Sequence, residues 1–166
     1  MFRFKCVSCD EWHEGMPCLS IMTPAAYETI PPAERKKRGK LTSDICVIDR
    51  EVFMVRGNVE IRVEGETDPF AWGVWVRLER PEFTVFKKQF HRRRRSHVGP
   101  LAGVLAVDLG AYPETWGLGV RVHLRDDLVR PFIEMDAPGH PMTIEQQTGM
   151  TVERVAHVYA QSVHGD

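Results

Sequence analysis

Apolar and polar residues alternate most clearly between residues 70 and 78. Every second side chain from Phe70 to Leu78 is apolar, whereas the intervening positions are mixed and include Trp75. Because successive side chains of a strand point to opposite faces, this pattern predicts a strand with one fully apolar face. Its tryptophans and its lack of proline favour a central place in a sheet. Trp75 is then either a contact residue on the outer face or buried beneath the C-terminal helix.

Shorter patterns before this segment predict strands that pair with it. The segments are 44–49, 52–56 and 59–63. The first two predict a hairpin that turns at Asp49-Arg50-Glu51, and Gly57-Asn58 predicts a bulge or turn before the third. The third alternates apolar and charged residues, which is typical of a half-buried strand. Together they predict an antiparallel meander centred on residues 44–79, within a central sheet over 41–79.

Patterns typical of helices occur both before and after these strands along the chain. Near the C-terminus, apolar residues recur at the spacing of a helix face after Thr151, a favourable N-cap, so we predict a helix over 151–164. Other patterns predict shorter helices over 25–30, 33–38 and 142–148 and from Pro81 onward, and strands over 98–109, 119–125 and 131–135. The chain is therefore predicted to be one α+β domain over residues 1–166. Short helices and the C-terminal helix cover one face of its antiparallel sheet.

Length and composition exclude several classes of protein. The 166 residues are enough for one hydrophobic core, and 43% hydrophobic with 27% charged residues is typical of globular proteins. No apolar run approaches the roughly 20 residues that span a bilayer, and the N-terminus lacks the apolar segment of a signal peptide. We therefore expect a cytoplasmic protein without a membrane partner. The net charge of −1 also argues against a nucleic-acid partner.

The first 20 residues form a predicted loop whose cysteines and histidine have spacings that suit a metal ion. Cys6 and Cys9 form a C-x2-C pair, and His13 follows them. Zn²⁺ prefers four tetrahedral nitrogen and sulfur ligands, so these side chains predict a structural zinc site. Its fourth ligand is Cys46 or, alternatively, Cys18. In the opposite interpretation, Cys6 and Cys46 are small buried apolar residues and the other two cysteines are incidental thiols.

Four consecutive arginines follow the predicted helix that begins at Pro81. They are Arg92, Arg93, Arg94 and Arg95. Such a run can dock on an acidic protein surface, whereas most charge runs are solvated faces or helix C-termini. Aromatic residues nearby recur at helical spacing, which favours packing in the core over stacking on nucleic-acid bases. The four arginines are therefore a candidate surface for a protein partner.

Two histidines offer a separate candidate for chemistry. His123 lies on the polar side of an alternating strand, and His140 lies in a loop before Pro141. With Asp49, or alternatively Asp44 or Asp136, they form a candidate acid–base or metal site, which would be the catalytic centre of a metal-dependent hydrolase. The alternative is that both histidines are structural or lie at the surface. The sequence contains none of the common nucleotide-binding, serine-hydrolase or zinc-protease motifs.

Several of these segments carry a family resemblance. They are Cys6-x-x-Cys9 with His13 and Gly15, Thr42-Ser-Asp-Ile-Cys46-Val-Ile-Asp49, Phe53 with Arg56-Gly57, Phe70-x-Trp72-Gly73-Val74-Trp75, Tyr112-Pro113-x-Thr115, Val122-His123, Arg130-Pro131 and His140-Pro141. On these residues the chain resembles, nearly end to end, the bacterial family called domain of unknown function 2199. The resemblance implies no activity, because the family has none assigned. Cys18 lies outside the shared pattern, which favours Cys46 or a distant histidine as the fourth metal ligand.

These observations support three functional hypotheses. The first is a non-enzymatic binding or interaction module of the cytoplasm, stabilised by a structural zinc at Cys6, Cys9 and His13. The second is an immunity protein that neutralises a cognate toxin, with the arginine run docked on an acidic surface. The third is a metal-dependent hydrolase that uses His123 and His140.

Overall fold

A closed barrel of five strands lies at the centre of the computed structural model, which describes residues 1–165. In chain order the strands are β1 (Arg3–Lys5), β2 (Trp12–Glu14), β3 (Cys18–Ser20), β4 (Gly39–Leu41), β5 (Ile45–Ile48), β6 (Val52–Ile61), β7 (Phe70–Leu78), β8 (Leu101–Leu105), β9 (Gly119–His123) and β10 (Phe132–Met135). The helices are α1 (Ala25–Glu28), α2 (Pro32–Arg38), α3 (Arg80–Gln89), α4 (Pro141–Thr148) and α5 (Val152–Val163). The predicted α+β class is confirmed. No helix within residues 1–165 is long and apolar enough to cross a membrane.

Strands β6 to β10 close the barrel. Neighbouring strands pair antiparallel in that order, and β10 returns to β6 in a parallel pairing with Phe132 opposite Asn58. β5 and β4 continue the sheet beyond β6, and β3 pairs parallel with β7. The predicted antiparallel meander is therefore wrong in topology. Alternating side chains identify strands, but they carry no information about a parallel contact between segments that are distant along the chain.

Small and branched side chains fill the interior of the barrel. Residues directly opposite each other lie on the same side of a sheet, and β6 places Val55 opposite Val76 and Gly57 opposite Val74. These four residues are buried. The other side of the wall is exposed where no element covers it, as at Arg121. The side that carries the valines therefore faces the barrel interior.

Strand β6 runs unbroken through Gly57 and Asn58, so the bulge or turn predicted at these residues is wrong. A Cβ atom at Gly57 would lie 2.5 Å from Ile133 Cδ1 and 2.9 Å from the Pro131 carbonyl oxygen. The glycine is therefore needed because β10 approaches β6 closely, and not because the chain turns.

A buried polar network fastens α4 and α5 to the barrel. The hydroxyl of Tyr112 accepts from the Trp72 indole N–H at 3.4 Å and donates to the Glu145 carboxylate at 2.6 Å. Burial, followed by the neighbouring Glu145, raises the pKa of Tyr112, so the phenol stays protonated as a donor at neutral pH. Glu145 on α4 also accepts from the Arg154 guanidinium on α5, which ties the two helices together.

The C-terminal helix α5 packs against the N-terminal strand β1. Its buried residues are Val155, Ala156, Val158 and Ala160. The helix lies against β1, where the rings of Phe4 and Tyr159 are 5.1 Å apart in an edge-to-face arrangement. β1 and β2 form a two-stranded sheet separate from the sheet of the barrel. The helix therefore does much to hold this N-terminal hairpin in place.

We expect Gly57→Ala to lower the free energy of unfolding by about 1–3 kcal/mol, because the added methyl group overpacks a filled interior. Gly99→Ala is the matched control, since a Cβ at Gly99 meets no atom within 4 Å. Urea unfolding followed by tryptophan fluorescence measures both variants. Equal stability of the two variants would show that the close approach at Gly57 is not required.

Candidate metal centre

A tight turn between β1 and β2 brings two cysteines and a histidine together. The strands pair with Phe4 opposite His13. The backbone N–H of Cys6 donates to the Glu11 carbonyl at 2.9 Å, so the chain reverses between these residues. As a result, side chains that are up to seven residues apart in sequence lie within reach of one metal ion.

The end of α5 brings a fourth side chain to this turn. His164 caps the C-terminus of the helix, and its backbone N–H donates to the Ala160 carbonyl at 2.9 Å. The ring of Tyr159 lies 4.7 Å from the ring of His13 and 5.1 Å from the ring of Phe4. These ring contacts hold the end of the helix over the hairpin, with His164 beside the two cysteines.

Four metal-binding side chains converge where the two ends of the chain meet. One ligand atom from each of Cys6, Cys9, His13 and His164 lies within 4.8 Å of the others, and Cys9 Sγ is 3.5 Å from His13 Nε2. Zinc bonds of about 2.3 Å to sulfur and 2.0–2.1 Å to nitrogen place the ligand atoms of a tetrahedral site about 3.3–3.8 Å apart. Small side-chain adjustments would therefore convert the cluster into a tetrahedral site.

The protonation of Cys9 sets a condition on metal binding. The backbone N–H of Glu11 lowers the pKa of Cys9, but burial and the adjacent Cys6 thiol outweigh it, so the pKa is raised. Cys9 is therefore a neutral thiol at neutral pH, and a metal ion must displace its proton to bind the thiolate. Cys6 is buried and His164 is exposed, so the cluster opens to solvent on the side of His164.

Cys46 and Cys18, the fourth ligands considered from the sequence, lie outside this group. Cys46 is fully buried on β5, where burial raises the pKa of its thiol to about 11. Cys18 is exposed on β3, with its Sγ 3.8 Å from Ser20 Oγ. The fourth member of the group is His164, a distant histidine of the kind that the family resemblance left open. The sequence contained one indication of this. His164 follows Ala160 by four residues, which places it at the end of the buried side of the last helix.

His123 and His140 each have a structural partner. The Nε2–H of His123 donates to the Glu134 carboxylate on the neighbouring strand at 2.7 Å. The Nε2–H of His140 donates to the Pro113 carbonyl at 2.7 Å, and its Nδ1 accepts from the Met142 N–H at the start of α4. His140 is therefore the N-cap of that helix.

Asp49, the third residue of the hydrolase hypothesis, is paired elsewhere. Its carboxylate accepts from Nε and Nη2 of Arg38 at 3.0 and 2.8 Å, and Arg38 lowers the pKa of Asp49. Across the described part of the chain, no group of three or more metal-binding side chains includes Asp49, His123 or His140. The cluster that this hypothesis requires is not formed by these residues.

Trp75 is fully buried, so it is not the exposed contact residue that its place on the mixed face of the strand suggested. Its indole N–H donates to the Ile21 carbonyl at 3.0 Å. The segment that follows β3 covers it, because the Ile21 N–H in turn donates to the Gly73 carbonyl of β7 at 2.9 Å. Burial was one of the two predicted outcomes, but the covering segment comes from the N-terminal part of the chain.

The arginine run divides into three exposed residues and one buried residue. It lies in a turn after the end of α3, where Arg92, Arg93 and Arg94 are exposed and Arg95 is only 3% exposed. The Arg95 guanidinium donates at 2.7–2.9 Å to the carbonyl oxygens of Phe90, Arg125 and Val129. Arg95 is therefore a structural residue that ties two loops together. Only the first three arginines are available to a partner.

A comparison with known families places this chain in one of them. The profile of domain of unknown function 2199 (DUF2199), described as an uncharacterized protein conserved in bacteria, matches residues 5–150. The chain therefore belongs to this family, which confirms the resemblance seen in its sequence. The match includes Cys6, Cys9 and His13, and it ends before α5. Searches of curated proteins and of solved structures gave no match.

We expect Arg95→Gln to lower the free energy of unfolding by about 1–3 kcal/mol, because it removes donors from buried carbonyl groups. Arg92→Gln removes the same charge from an exposed position and should change stability by less than about 0.5 kcal/mol. Thermal and urea unfolding of both variants measure the difference. If the two variants were equally stable, the assignment of a structural role to Arg95 would be wrong.

Proposed function

We propose that this DUF2199 protein is a zinc-stabilised binding module in which Cys6, Cys9, His13 and His164 hold one Zn²⁺. The observation that carries the proposal is the convergence of these four side chains from the two ends of the chain. Three of them belong to the N-terminal hairpin, and the fourth belongs to the end of α5.

The chemistry of the four side chains favours zinc over other metal ions. Two thiolates and two imidazoles are the donor set of many structural zinc sites, whereas Mg²⁺ and Ca²⁺ prefer oxygen ligands. Two thiolates also neutralise the charge of the ion. Four protein ligands leave no open position for a substrate or an activated water, so this ion would act in folding and not in catalysis.

The position of the site explains why a metal ion would be useful there. β1 and β2 have three residues each and are not part of the barrel sheet. An isolated two-stranded hairpin is at best marginally stable in water. A zinc ion shared with α5 would fasten the hairpin to the helix and, through the helix, to the barrel.

A binding role is favoured because the residues considered for catalysis make structural contacts. His123 pairs with Glu134, His140 caps α4, and Asp49 pairs with Arg38. The ligand of the module is then bound elsewhere on the domain, independently of the zinc ion.

We expect the purified, untagged protein to contain one zinc ion per chain and to lose stability when zinc is removed by a chelator. A bound ion contributes about 4 kcal/mol when free zinc exceeds its Kd by about a thousandfold. Metal analysis by mass spectrometry and thermal unfolding with and without chelator measure both effects.

Matched substitutions identify the ligands. Cys9→Ser and His164→Gln should lose the zinc ion, whereas Cys18→Ser and His157→Gln should keep it, because Cys18 and His157 lie outside the cluster. A folded protein without zinc would contradict the proposal. So would zinc that is retained in His164→Gln but lost in Cys46→Ser, since Cys46 would then be the fourth ligand.

Zinc affinity should fall as the pH falls, because the ion must displace the protons of its two thiols. With two protons released, the affinity changes by up to about a hundredfold per pH unit below the thiol pKa values. Competition with a chromophoric chelator between about pH 6 and 8 measures this slope. A constant affinity over this range would show that neutral thiols are not being deprotonated at the site.

A further inference from the structure

A cavity of about 190 Å³ lies between β6, the end of α3 and the loop before β10. Its lining includes the charged side chains of Arg56, Arg130 and Asp44. It also includes the apolar side chains of Phe86, Phe90 and Leu128. The cavity therefore offers both charged and apolar contacts, and none of these residues belongs to the cysteine–histidine cluster.

Arg56 is a buried charge with poor partners. It is 2% exposed, and its Nε has no hydrogen-bond partner. Its Nη1 donates to the Ser43 carbonyl only at 3.4 Å, and its Nη2 faces the Met22 sulfur at 3.3 Å. A guanidinium has five N–H donors, and a buried guanidinium without a carboxylate partner is strongly unfavourable. Among residues 1–165, Arg56 has no ion pair.

The one carboxylate in the cavity is already engaged. Asp44 accepts from Arg130 Nε at 2.8 Å and from the Ser43 hydroxyl at 2.9 Å. The Nη atoms of Arg130 have no hydrogen-bond partner in the described chain. Burial and then the charge of Arg130 lower the pKa of Arg56, and Asp44 opposes this shift. Of these two guanidinium groups only Arg130 pairs with the carboxylate, so the cavity carries excess positive charge.

The loop that carries Leu128 is held by hydrogen bonds from a neighbouring turn. Leu128 is 48% exposed and has a φ of 61°, a conformation that leucine adopts rarely. The loop keeps this conformation because Arg95 donates to its carbonyl groups and Asp126 accepts from the backbone N–H groups of Arg95 and Ser96. Each nitrogen atom of the Arg95 guanidinium already donates to a carbonyl group, so Arg95 supports this loop and leaves Arg56 and Arg130 to face a ligand.

We propose that this cavity binds a small organic anion. Its carboxylate or phosphate group pairs with Arg56 and Arg130, and its apolar part lies against Phe86, Phe90 and Leu128. The fork of N–H donors on a guanidinium matches both oxyanions, and a fixed pair of such groups discriminates strongly against a neutral analogue. The volume of the cavity limits the ligand to a small molecule. This site does not depend on the zinc ion, so either proposal can fail without the other.

The test is a titration of the full chain, in the metal state in which it is purified, with four probes. Benzoate and phenyl phosphate carry an oxyanion and an apolar ring, benzyl alcohol lacks the charge, and inorganic phosphate lacks the ring. We expect benzoate or phenyl phosphate to bind in calorimetry and to raise Tm, and benzyl alcohol and inorganic phosphate to bind more weakly. The comparison of benzoate with phenyl phosphate identifies the preferred oxyanion.

Two variants and a control locate the bound anion. Arg56→Met and Arg130→Gln should weaken binding by about tenfold to a hundredfold, since each removes charge-assisted hydrogen bonds. Arg92→Gln removes an exposed charge close in sequence to the cavity and should leave binding unchanged. Without ligand, Arg56→Met should melt at the same or a higher temperature than the parent, because it removes a buried charge with poor partners.

Several outcomes would overturn the proposal. The first is that neither benzoate nor phenyl phosphate binds to the parent protein. The second is that Arg92→Gln weakens binding as much as Arg130→Gln does, which would indicate attraction to the general positive surface. The third is that Arg56→Met melts at a much lower temperature while Arg130→Gln binds the anion unchanged, because Arg56 would then be a structural residue.

Discussion

Both candidate sites depend on the hydrogen bonds that strand β6 makes along one of its edges. Near its middle, the Arg56 N–H donates to the Asp44 carbonyl, and two residues later the Asn58 N–H donates to the Pro131 carbonyl, each at 2.9 Å. These two contacts place Asp44 and the loop before β10 around the Arg56 side chain. Past the end of β6, the Met150 N–H donates to the Arg62 carbonyl at 2.9 Å, immediately before α5 begins. One edge of one strand thus sets the positions of the cavity beside Arg56 and of the helix that precedes His164.

The two sites differ in how they deal with charge. Two thiolates would neutralise a zinc ion, so the metal centre would be complete within the chain and would stabilise the join between its ends. The cavity instead lacks a negative charge. Arg130 pairs with Asp44, but Arg56 has no anion as a partner among the described residues. Buried charges of this kind lower stability unless something pairs with them. On the two proposals, one site would serve folding and the other would be left unbalanced until a ligand binds.

Local sequence patterns predicted many of the helices, strands and turns. They did not predict the contacts between segments that are distant along the chain. Thr151 was predicted as an N-cap, and its hydroxyl accepts from the Arg154 N–H as expected. The turn at Asp49 and Arg50 joins two antiparallel strands as predicted. The barrel closure was missed because it depends on contacts between distant strands. The burial of Arg95 was missed for the same reason, since two of the three carbonyl groups that accept from it come from a loop about 30 residues later in the chain. His164 lies far along the chain from the hairpin that it joins, so cysteine spacing alone did not identify it.

X-ray absorption at the zinc edge tests the central claim most directly, because it reports the ligands of the bound ion itself. We predict two sulfur ligands at about 2.3 Å and two nitrogen ligands at about 2.0–2.1 Å in the parent protein. A shell of three sulfur ligands would instead bring Cys46 or Cys18 into the site. An oxygen ligand from water would show an open position, and the account of a purely structural ion would then be contradicted.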